Sequence, residues 1–272
     1  MFFEYETDKE MVAKVMDFLQ IPYEKHKYFN DGAVSRVILL NDKYLIKQNN
    51  NIDAELEFFK YNDIDMFQKI IYVDPDHRYV AYEFLEGKPM MDVTDPKDVI
   101  NKVLEITSLY NTYDKEGYGY YLERVSTWEE FLKSETEHSS RNTKEYIKDL
   151  TFIYECIEKL CKYPFVKKVI HGDLGTHNFI EKDGKFVGVI DPDTIIGDSL
   201  YDILFAIVSN VDILNTVTLD DLYALIKEEK EKIYCMLVVV LFSRISRCLK
   251  YHKEDIDIYM NFYNYLLENK II

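Results

Sequence analysis

The sequence is poor in the residues that break up or cross-link a chain. Its 272 residues include nine Gly, six Pro, four Cys and one Trp. So few glycines and prolines exclude a low-complexity or collagen-like protein. Hydrophobic residues make up 47% of the chain, which is enough to bury a sizeable core at this length. We therefore expect the whole chain to fold, as one large domain or as two lobes that share a cleft.

Positive charge is also scarce. The 33 Lys and Arg stand against 49 Asp and Glu, which gives a formal net charge of -16. The average field repels nucleic-acid phosphates and anionic membrane surfaces, so neither partner is expected. A cationic partner is easier to accommodate, although the acidity can equally serve solubility alone. A monomer and a homodimer are both compatible with this composition.

Long apolar runs and paired cysteine motifs are missing. The longest apolar run, residues 233–242, is about half of the ~20 residues needed to span a bilayer. The N-terminus is acidic where a signal peptide has a basic start. The four Cys show no CxxC spacing and lie in or beside apolar helical runs, which predicts reduced core thiols. These absences favour a cytoplasmic protein.

The apolar periodicity changes along the chain. A helical period covers residues 11–19, and a second helix is expected after Asp53 as its N-cap. Strand-like runs occupy 34–40, 44–46, 70–73 and 79–84. After Gly87 helical periods dominate, with strand-like runs only between 169 and 190. The pattern predicts an α+β fold: an antiparallel sheet with one main helix in a lobe over 1–84, and a larger helical lobe over 85–272.

Polar residues follow two strand-like runs in the segment that interrupts the helices. It reads VIHGDLGTHNFI over 169–180 and FVGVIDPD over 186–193. Phosphoryl transfer needs a carboxylate that accepts or orients the attacking hydroxyl and oxygen ligands for Mg²⁺. Asn178 lies five positions after Asp173, so one loop can direct both side chains to one place. The following strand delivers Asp191, which completes that set.

The motif HGDLGTHN at 171–178 resembles the HGDxxxxN catalytic loop of aminoglycoside phosphotransferases, choline kinases and related small-molecule kinases. IDPD at 190–193 resembles their equivalent of the protein-kinase DFG segment. The run GDSLYD at 197–202 resembles their later Gly-Asp segment. The resemblance implies a two-lobed, protein-kinase-like fold over nearly the whole chain. It also implies Mg²⁺-dependent transfer of the γ-phosphoryl group of ATP or GTP to a substrate hydroxyl.

The resemblance assigns roles to individual residues of this segment. Asp173 becomes the catalytic base or hydroxyl-orienting carboxylate, and Asn178 and Asp191 become the metal ligands. Taken singly, each of the three also fits an ordinary loop or turn residue. Supporting roles are expected for four more residues: His171, Asp193, Asp198 and Asp202. His177 receives no assignment, and a helix is expected to begin at Leu200.

Lys47 is the candidate for contact with the nucleotide phosphates. It ends the strand-like run YLIK, where kinases place the lysine that contacts the α and β phosphates. Glu55 is its expected ionic partner, because Phe58 and Phe59 follow at helical spacing on the core side. Glu57 is followed at the same spacings by polar or half-polar residues, and the sequence leaves it as the alternative.

Four further residues are nucleotide-contact candidates. The segment NDGAVSR at 30–36 has one glycine and no GxGxxG, so Gly32 and Ser35 are the expected phosphate neighbours there. The run YEFL at 82–85 resembles the hinge between kinase lobes, where backbone groups meet the nucleobase. Glu83 and Phe84 are therefore expected to contact the base. Side chains there do not distinguish ATP from GTP.

The acceptor is expected to be a small molecule, and a cationic one. Acids of the helical half, with its many Tyr and Phe, can bind ammonium groups or form solvated helix faces. These acids are Glu228, Glu229, Glu254, Asp255 and Asp257. An aminoglycoside O-phosphotransferase, which confers resistance by adding negative charge to a cationic drug, is the first hypothesis.

Three alternatives to an aminoglycoside kinase stay open. The first is a kinase of choline, another amino alcohol, a sugar, homoserine or a macrolide. The second is a non-catalytic nucleotide-binding regulatory module, which has no need to keep all three site residues. The third is a metal hydrolase built on the His and Asp residues of 171–191, which no HxH or HExxH spacing supports.

Overall fold

The structure is a computed structural model that describes residues 5–29 and 35–271. Its contacts divide the chain into two units, one formed by 1–88 with 179–190 and the other by 89–178 with 191–272. The first lobe was predicted to end at residue 84, which is four residues before the end of this first segment at Lys88. The prediction also placed 179–190 in the second lobe, whereas the strands of this segment pair with the end of the first.

The described residues form eleven strands and ten α-helices. The strands are β1 (His26–Phe29), β2 (Arg36–Leu40), β3 (Tyr44–Gln48), β4 (Ile70–Val73), β5 (Val80–Glu83), β6 (Lys88–Pro89), β7 (Gly119–Tyr120), β8 (Lys168–Ile170), β9 (Phe179–Lys182), β10 (Lys185–Val189) and β11 (Ile195–Gly197). The helices are α1 (Glu6–Leu19), α2 (Ile52–Tyr61), α3 (Pro96–Ser108), α4 (Trp128–Thr143), α5 (Thr151–Leu160), α6 (Leu200–Val208), α7 (Val211–Thr216), α8 (Leu219–Leu225), α9 (Lys230–Tyr251) and α10 (Ile256–Glu268).

The first unit is built on an antiparallel sheet in the order β1-β2-β3-β5-β4. Alternate residues of its central strands and one face of α1 form the core, including Met11, Val15 and Ile38. The β2–β3 hairpin turns through Asn41 and Asp42, which both have a φ of 52°. Asn and Asp tolerate this left-handed conformation better than other residues with a side chain. The predicted hairpin is therefore present, and its two turn residues are of the types that tolerate a positive φ.

The start of α2 differs from the prediction. The helix begins at Ile52 with Asn51 before it, so the prediction of Asp53 as the N-cap is wrong. Asp53 lies in the first turn, where its carboxylate is 2.6 Å from His77 Nδ1. A carboxylate in the first turn still favours the helix through the helix dipole.

The second unit is mainly helical, and α9 is its central element. This 22-residue helix is apolar nearly all round and buried over most of its length, as expected of a helix surrounded by others. It packs against α4, α5, α6 and α10. A small sheet, in the order β7-β11-β8, lies in the same unit. Within 5–29 and 35–271, no helix has the length and apolarity to cross a membrane.

The predicted fold class is confirmed. An antiparallel sheet with helices comes first, and a larger, mainly helical unit follows. The prediction of core thiols is right for Cys156, Cys235 and Cys248, which are buried and free, and wrong for Cys161, which is exposed at the end of α5. Helix α4 was not predicted, because its sequence is mostly polar and charged.

Candidate active site

The loop after β8 is anchored by a fully buried carboxylate. Asp202 accepts hydrogen bonds from the backbone N–H groups of His171, at 2.7 Å, and Gly172, at 2.9 Å. The hydroxyl of Tyr110 donates to the same carboxylate at 2.9 Å. Burial raises the pKa of Asp202 to about 7, and the three donors oppose that rise. Asp202 thus satisfies backbone donors of the loop that would otherwise be buried without partners.

Gly172 is required by a close approach between two segments. Its φ is +80°, and a Cβ at this position would lie 2.1 Å from the carbonyl oxygen of Asp193. The backbone N–H of Asp193 donates to the carbonyl oxygen of His171 at 2.8 Å. The loop that carries Asp173 and the segment that follows Asp191 are therefore held in backbone contact.

Both carboxylate oxygens of Asp173 have partners. Arg247 Nη1 donates to Oδ1 at 2.9 Å, and His177 Nε2 lies 3.2 Å from Oδ2. The amide nitrogen of Asn178 donates to Oδ2 at 3.1 Å and to the backbone carbonyl of Asp173 at 2.8 Å. The five-residue spacing that the sequence singled out thus brings Asp173 and Asn178 into direct contact.

The charges around Asp173 keep it ionised. Burial alone would raise the pKa of this carboxyl, but the adjacent His177 and the Arg247 guanidinium outweigh burial and hold the pKa well below its usual range. Burial would likewise lower the pKa of Arg247, and Asp173 raises it far above its ordinary value. The pair is therefore a stable carboxylate and a stable cation at neutral pH.

Arg247 is the residue of the site that the sequence analysis missed. It lies on α9, 74 positions after Asp173, and its guanidinium also sits 5.1 Å from the centre of the Phe205 ring. No short motif links positions so far apart. The only available signal was an arginine within a helix that is otherwise predicted to be buried, because a buried arginine needs an acidic partner.

The chemistry of the donor set fits Mg²⁺. The two hydrogen bonds of Asn178 come from its amide nitrogen, so the amide oxygen is the atom left for a cation. Asp191 adds an exposed carboxylate. One carboxylate and one amide oxygen, with phosphate and water, suit this hard cation. Among the described residues, no group of three or more His, Cys, Asp and Glu side chains is placed to hold a metal ion.

Asp191 has a strained backbone. Its φ is +58°, although it carries a side chain and precedes Pro192. Left-handed non-glycine residues are uncommon, and such strain is concentrated at functional sites. The conformation fixes the direction in which the carboxylate leaves the chain.

A second buried ion pair supports the segment after β11. Lys232, on α9, lies 3.0 Å from Asp198 and 3.0 Å from Glu228. The other carboxylate oxygen of Asp198 accepts the N–H of Leu200 at 3.0 Å, which starts α6 at the predicted residue. Glu228, one of the acids proposed for the acceptor, is thereby engaged in a structural pair.

In the first unit, Lys47 and Glu55 form a buried ion pair at 2.6 Å. The Tyr82 hydroxyl donates to the second oxygen of Glu55 at 2.6 Å, which fixes the carboxylate. Glu57, the alternative partner, instead faces the exposed Lys60 at 3.4 Å. The lysine–glutamate pair that the sequence favoured is therefore present, on β3 and α2.

The backbone groups of the predicted hinge are largely engaged inside the first unit. The N–H of Glu83 donates to Lys69, its carbonyl accepts from Gln68, and the N–H of Phe84 donates to Lys43. Leu85 is the hinge residue whose backbone N–H and carbonyl make no hydrogen bond within the described parts of the chain. Gly32 lies outside the described residues, and Ser35 lies half-buried just before β2.

Two further carboxylates of the second unit interact electrostatically with Arg247. Glu135, on α4, accepts a hydrogen bond from the Tyr120 hydroxyl at 3.2 Å, and burial raises its pKa while Arg247 lowers it. Asp193 also acts on the charge of Arg247. Arg247 thus donates to Asp173 and also interacts electrostatically with Glu135 and Asp193.

No protein-family model and no curated protein matches the sequence. Solved structures of aminoglycoside phosphotransferases match it along nearly its whole length. A thermostable mutant of APH(4)-Ia in a ternary complex with AMP-PNP and hygromycin B has a TM-score of 0.67 and 13% identity, covering 97% of this chain and 98% of that chain.

Two further structures of aminoglycoside phosphotransferases match the chain over a similar length. The GDP and kanamycin complex of APH(2″)-IIIa has a TM-score of 0.60 and 14% identity, covering 96% of this chain and 99% of that chain. ADP-bound APH(2″)-Ib has a TM-score of 0.59 and 14% identity, covering 97% and 98%. The chain therefore has the fold of aminoglycoside phosphotransferases over nearly its whole length.

Proposed function

We propose that this protein is a Mg²⁺-dependent small-molecule kinase that transfers the γ-phosphoryl group of ATP or GTP to a hydroxyl of a cationic acceptor, most simply an aminoglycoside. The observation that carries the proposal is the Asp173–Asn178 contact in an HGDxxxxN loop, within a chain that has this fold. The contact joins the carboxylate and the amide that phosphoryl transfer requires.

Asp173 is the group proposed to receive the acceptor hydroxyl. Because its pKa is held low, it is a weak base, and its main contribution is to orient the hydroxyl by accepting its hydrogen bond. A loose transition state for phosphoryl transfer demands little early proton removal, so a weak base is sufficient. Arg247, His177 and Asn178 restrict the rotation of the carboxylate and so limit where the hydroxyl binds.

Candidate nucleotide contacts are proposed separately in each unit. Lys47, oriented by Glu55, supplies the cation for the phosphates, and Asn178 and Asp191 would hold Mg²⁺. When bound, the metal ion neutralises charge on the triphosphate. The nucleobase is expected to contact the predicted hinge at Glu83 and Phe84. Within the described residues, the adjacent Leu85 has the backbone N–H and carbonyl groups that are free to bind it. Gly32 and Ser35 stay predicted phosphate neighbours.

A cationic acceptor is supported by two independent facts. The chain carries a net charge of -16, and the carboxylates of Glu135 and Asp193 interact electrostatically with Arg247, the partner of Asp173. Neighbours with this fold were solved with hygromycin B and with kanamycin. A cytoplasmic location and the choice between monomer and homodimer stay predictions.

The test is release of nucleoside diphosphate with Mg²⁺ and ATP or GTP across aminoglycosides, choline-like amines, macrolides and sugars. We expect turnover with an aminoglycoside, and its loss in Asp173→Ala with nucleotide binding retained. Asp92→Ala, an exposed aspartate of the second unit, is the matched control and should stay active. Nucleotide binding without turnover on any acceptor would favour the regulatory module instead.

Asp191→Asn tests the metal assignment separately. We expect weaker binding of nucleotide in the presence of Mg²⁺, because the substitution replaces the one charged protein ligand proposed for Mg²⁺ with a neutral amide. Titration of a fluorescent nucleotide with and without Mg²⁺ measures this directly. An affinity in Mg²⁺ equal to that of the unchanged protein would show that the metal is held by other residues.

A further inference from the structure

A cavity in the helical unit is lined by two of the four cysteines. It has a volume of about 190 Å³ and lies where α5 and α9 pack together. Cys156, from the middle of α5, and Cys235, from the second turn of α9, both reach its wall. The volume exceeds what a water molecule needs, so small solutes of that size fit inside. These thiols therefore have a route to a small oxidant although both residues are buried.

The two thiols interact with each other. Both line the same cavity, each acts on the pKa of the other, and this effect is asymmetric. The neighbouring Cys156 lowers the pKa of Cys235 most, burial opposes this and Lys159 lowers the pKa further, while Cys235 raises the pKa of Cys156. Cys235 is thus the member of the pair with the lower pKa, and the one that forms a thiolate more readily.

A fixed cation stands at this cavity. The Lys159 ammonium lines the cavity and is held by Glu231 at 2.8 Å. The Tyr163 hydroxyl donates to the other oxygen of Glu231 at 2.6 Å, which fixes that carboxylate in turn. A positioned ammonium beside a partly enclosed thiol is the environment in which cysteines become reactive.

We propose that Cys156 and Cys235 form an oxidisable dithiol that closes to a disulfide when hydrogen peroxide enters the cavity. The Cys235 thiolate attacks one peroxide oxygen, the O–O bond breaks, and the leaving hydroxide takes a proton to become water. The resulting sulfenic acid is attacked by the Cys156 sulfur, and a second water leaves with the Cys156 proton. Two thiols are oxidised to one disulfide, and one peroxide is reduced to two waters.

The disulfide would tie together two elements that are distant in the chain. It joins positions 79 residues apart and fixes α5 to the helix that carries Arg247. A cross-link over so long a loop restricts the unfolded chain strongly, so it stabilises the native state when its geometry is accommodated. The thermal midpoint of the oxidised protein should therefore exceed that of the reduced protein.

The experiment treats the full chain with increasing hydrogen peroxide, quenches it, labels remaining thiols with a maleimide under denaturing conditions and digests it for mass spectrometry. We expect a Cys156–Cys235 linked peptide that dithiothreitol removes. Both cysteines should lose their label about tenfold faster than Cys248, which is equally buried but lies outside the cavity. Cys161→Ser, which removes the exposed thiol, should leave the link intact.

Two variants make the assignment specific. In Cys156→Ser the sulfenic acid of Cys235 has no partner, so dimedone should trap it, whereas Cys235→Ser should give neither adduct nor link. The proposal is overturned if both residues keep their label at a peroxide dose that oxidises exposed Cys161. It is equally overturned if the unchanged protein gives a dimedone adduct on Cys235 with no link to Cys156.

Discussion

Gly172 is the position in the candidate loop that cannot accommodate a side chain. A side chain there would meet the backbone of Asp193 within 2.1 Å, and the φ of +80° is unfavourable for any other residue. The steric contact involves a backbone carbonyl, which cannot rotate away as a flexible side chain can. Two separate costs, backbone strain and overlap, therefore act at one position.

Gly184 separates these two costs. It has a similar φ of +70° but nothing within 4 Å of an added Cβ. We expect Gly184→Ala to lower the free energy of unfolding by about 1–2 kcal/mol through backbone strain alone. Gly172→Ala should lower it clearly more and should abolish phosphoryl transfer. Urea denaturation of the two variants measures the difference, and equal losses would refute the packing argument.

Arg247 restrains Asp173 from a helix that the sequence analysis did not connect to the site. Arg247→Gln is expected to reduce kcat by about 10²-fold, because the carboxylate loses the partner that fixes Oδ1. Nucleotide affinity should not change. Arg244→Gln is the matched control, since Arg244 lies one turn earlier on α9 and donates to Tyr259 and Ser209 instead. Equal losses of activity in both variants would assign Arg247 a purely structural role.

The start of α6 controls the loop through Asp202. Burial raises the pKa of Asp202 from 3.8 to about 7, so the native state holds this proton more tightly than the unfolded state. The stability from this group is therefore fully present below about pH 4 and is lost as the pH rises through about 7. Both oxygens accept hydrogen bonds from the loop or from Tyr110, so the ionised form gives the better loop geometry.

Activity and stability should consequently change in opposite directions between about pH 4 and 7. We expect phosphoryl transfer to increase as Asp202 ionises, while the free energy of unfolding declines over the same range. Asp202→Asn should remove both trends. Parallel pH profiles of kcat and of the urea midpoint test this, and an unchanged profile in the variant would show that other groups titrate.

The sequence predicted several strands and the candidate loop because their signals are local, whereas β1, β6, β7 and β11 were not predicted. The strand-like runs gave β2, β3, β4 and β5 within a few residues, and the five-residue spacing predicted the contact between Asp173 and Asn178. Helix α4 was not predicted because its sequence is mostly polar and only a narrow face of the helix is buried. Thr127 and Glu130 nevertheless form its N-terminal cap. Its signal was a capping pattern rather than hydrophobic periodicity.

Contacts between distant elements could not be predicted. The Arg247–Asp173 and Lys232–Asp198 pairs both depend on where α9 lies against the loop segments. One-dimensional patterns show that α9 is apolar but not which polar side chains it directs inward. The engagement of Glu83 and Phe84 by Lys69, Gln68 and Lys43 is non-local in the same way.

The net charge of -16 acts on binding across the entire protein. This charge should attract a cationic acceptor, and added salt should weaken the attraction. The Debye length falls from about 10 Å at 0.1 M ionic strength to about 3 Å at 1 M. We expect KM for a polycationic aminoglycoside to rise with added KCl. The KM for the anionic nucleotide should not rise in parallel. An acceptor KM that is independent of salt would argue against electrostatic steering.

The discontinuous first unit has a consequence for synthesis on the ribosome. Its second segment ends at Ile190, 102 residues after Lys88, where its first segment ends. At usual elongation rates, translating that interval takes about 5 to 20 s. During this time the first segment of the unit has emerged without the β9–β10 hairpin, which belongs to the same unit but to a separate sheet, so the growing chain is exposed to chaperones and proteases. Slower codons between 89 and 178 would lengthen that exposure without altering a single side chain.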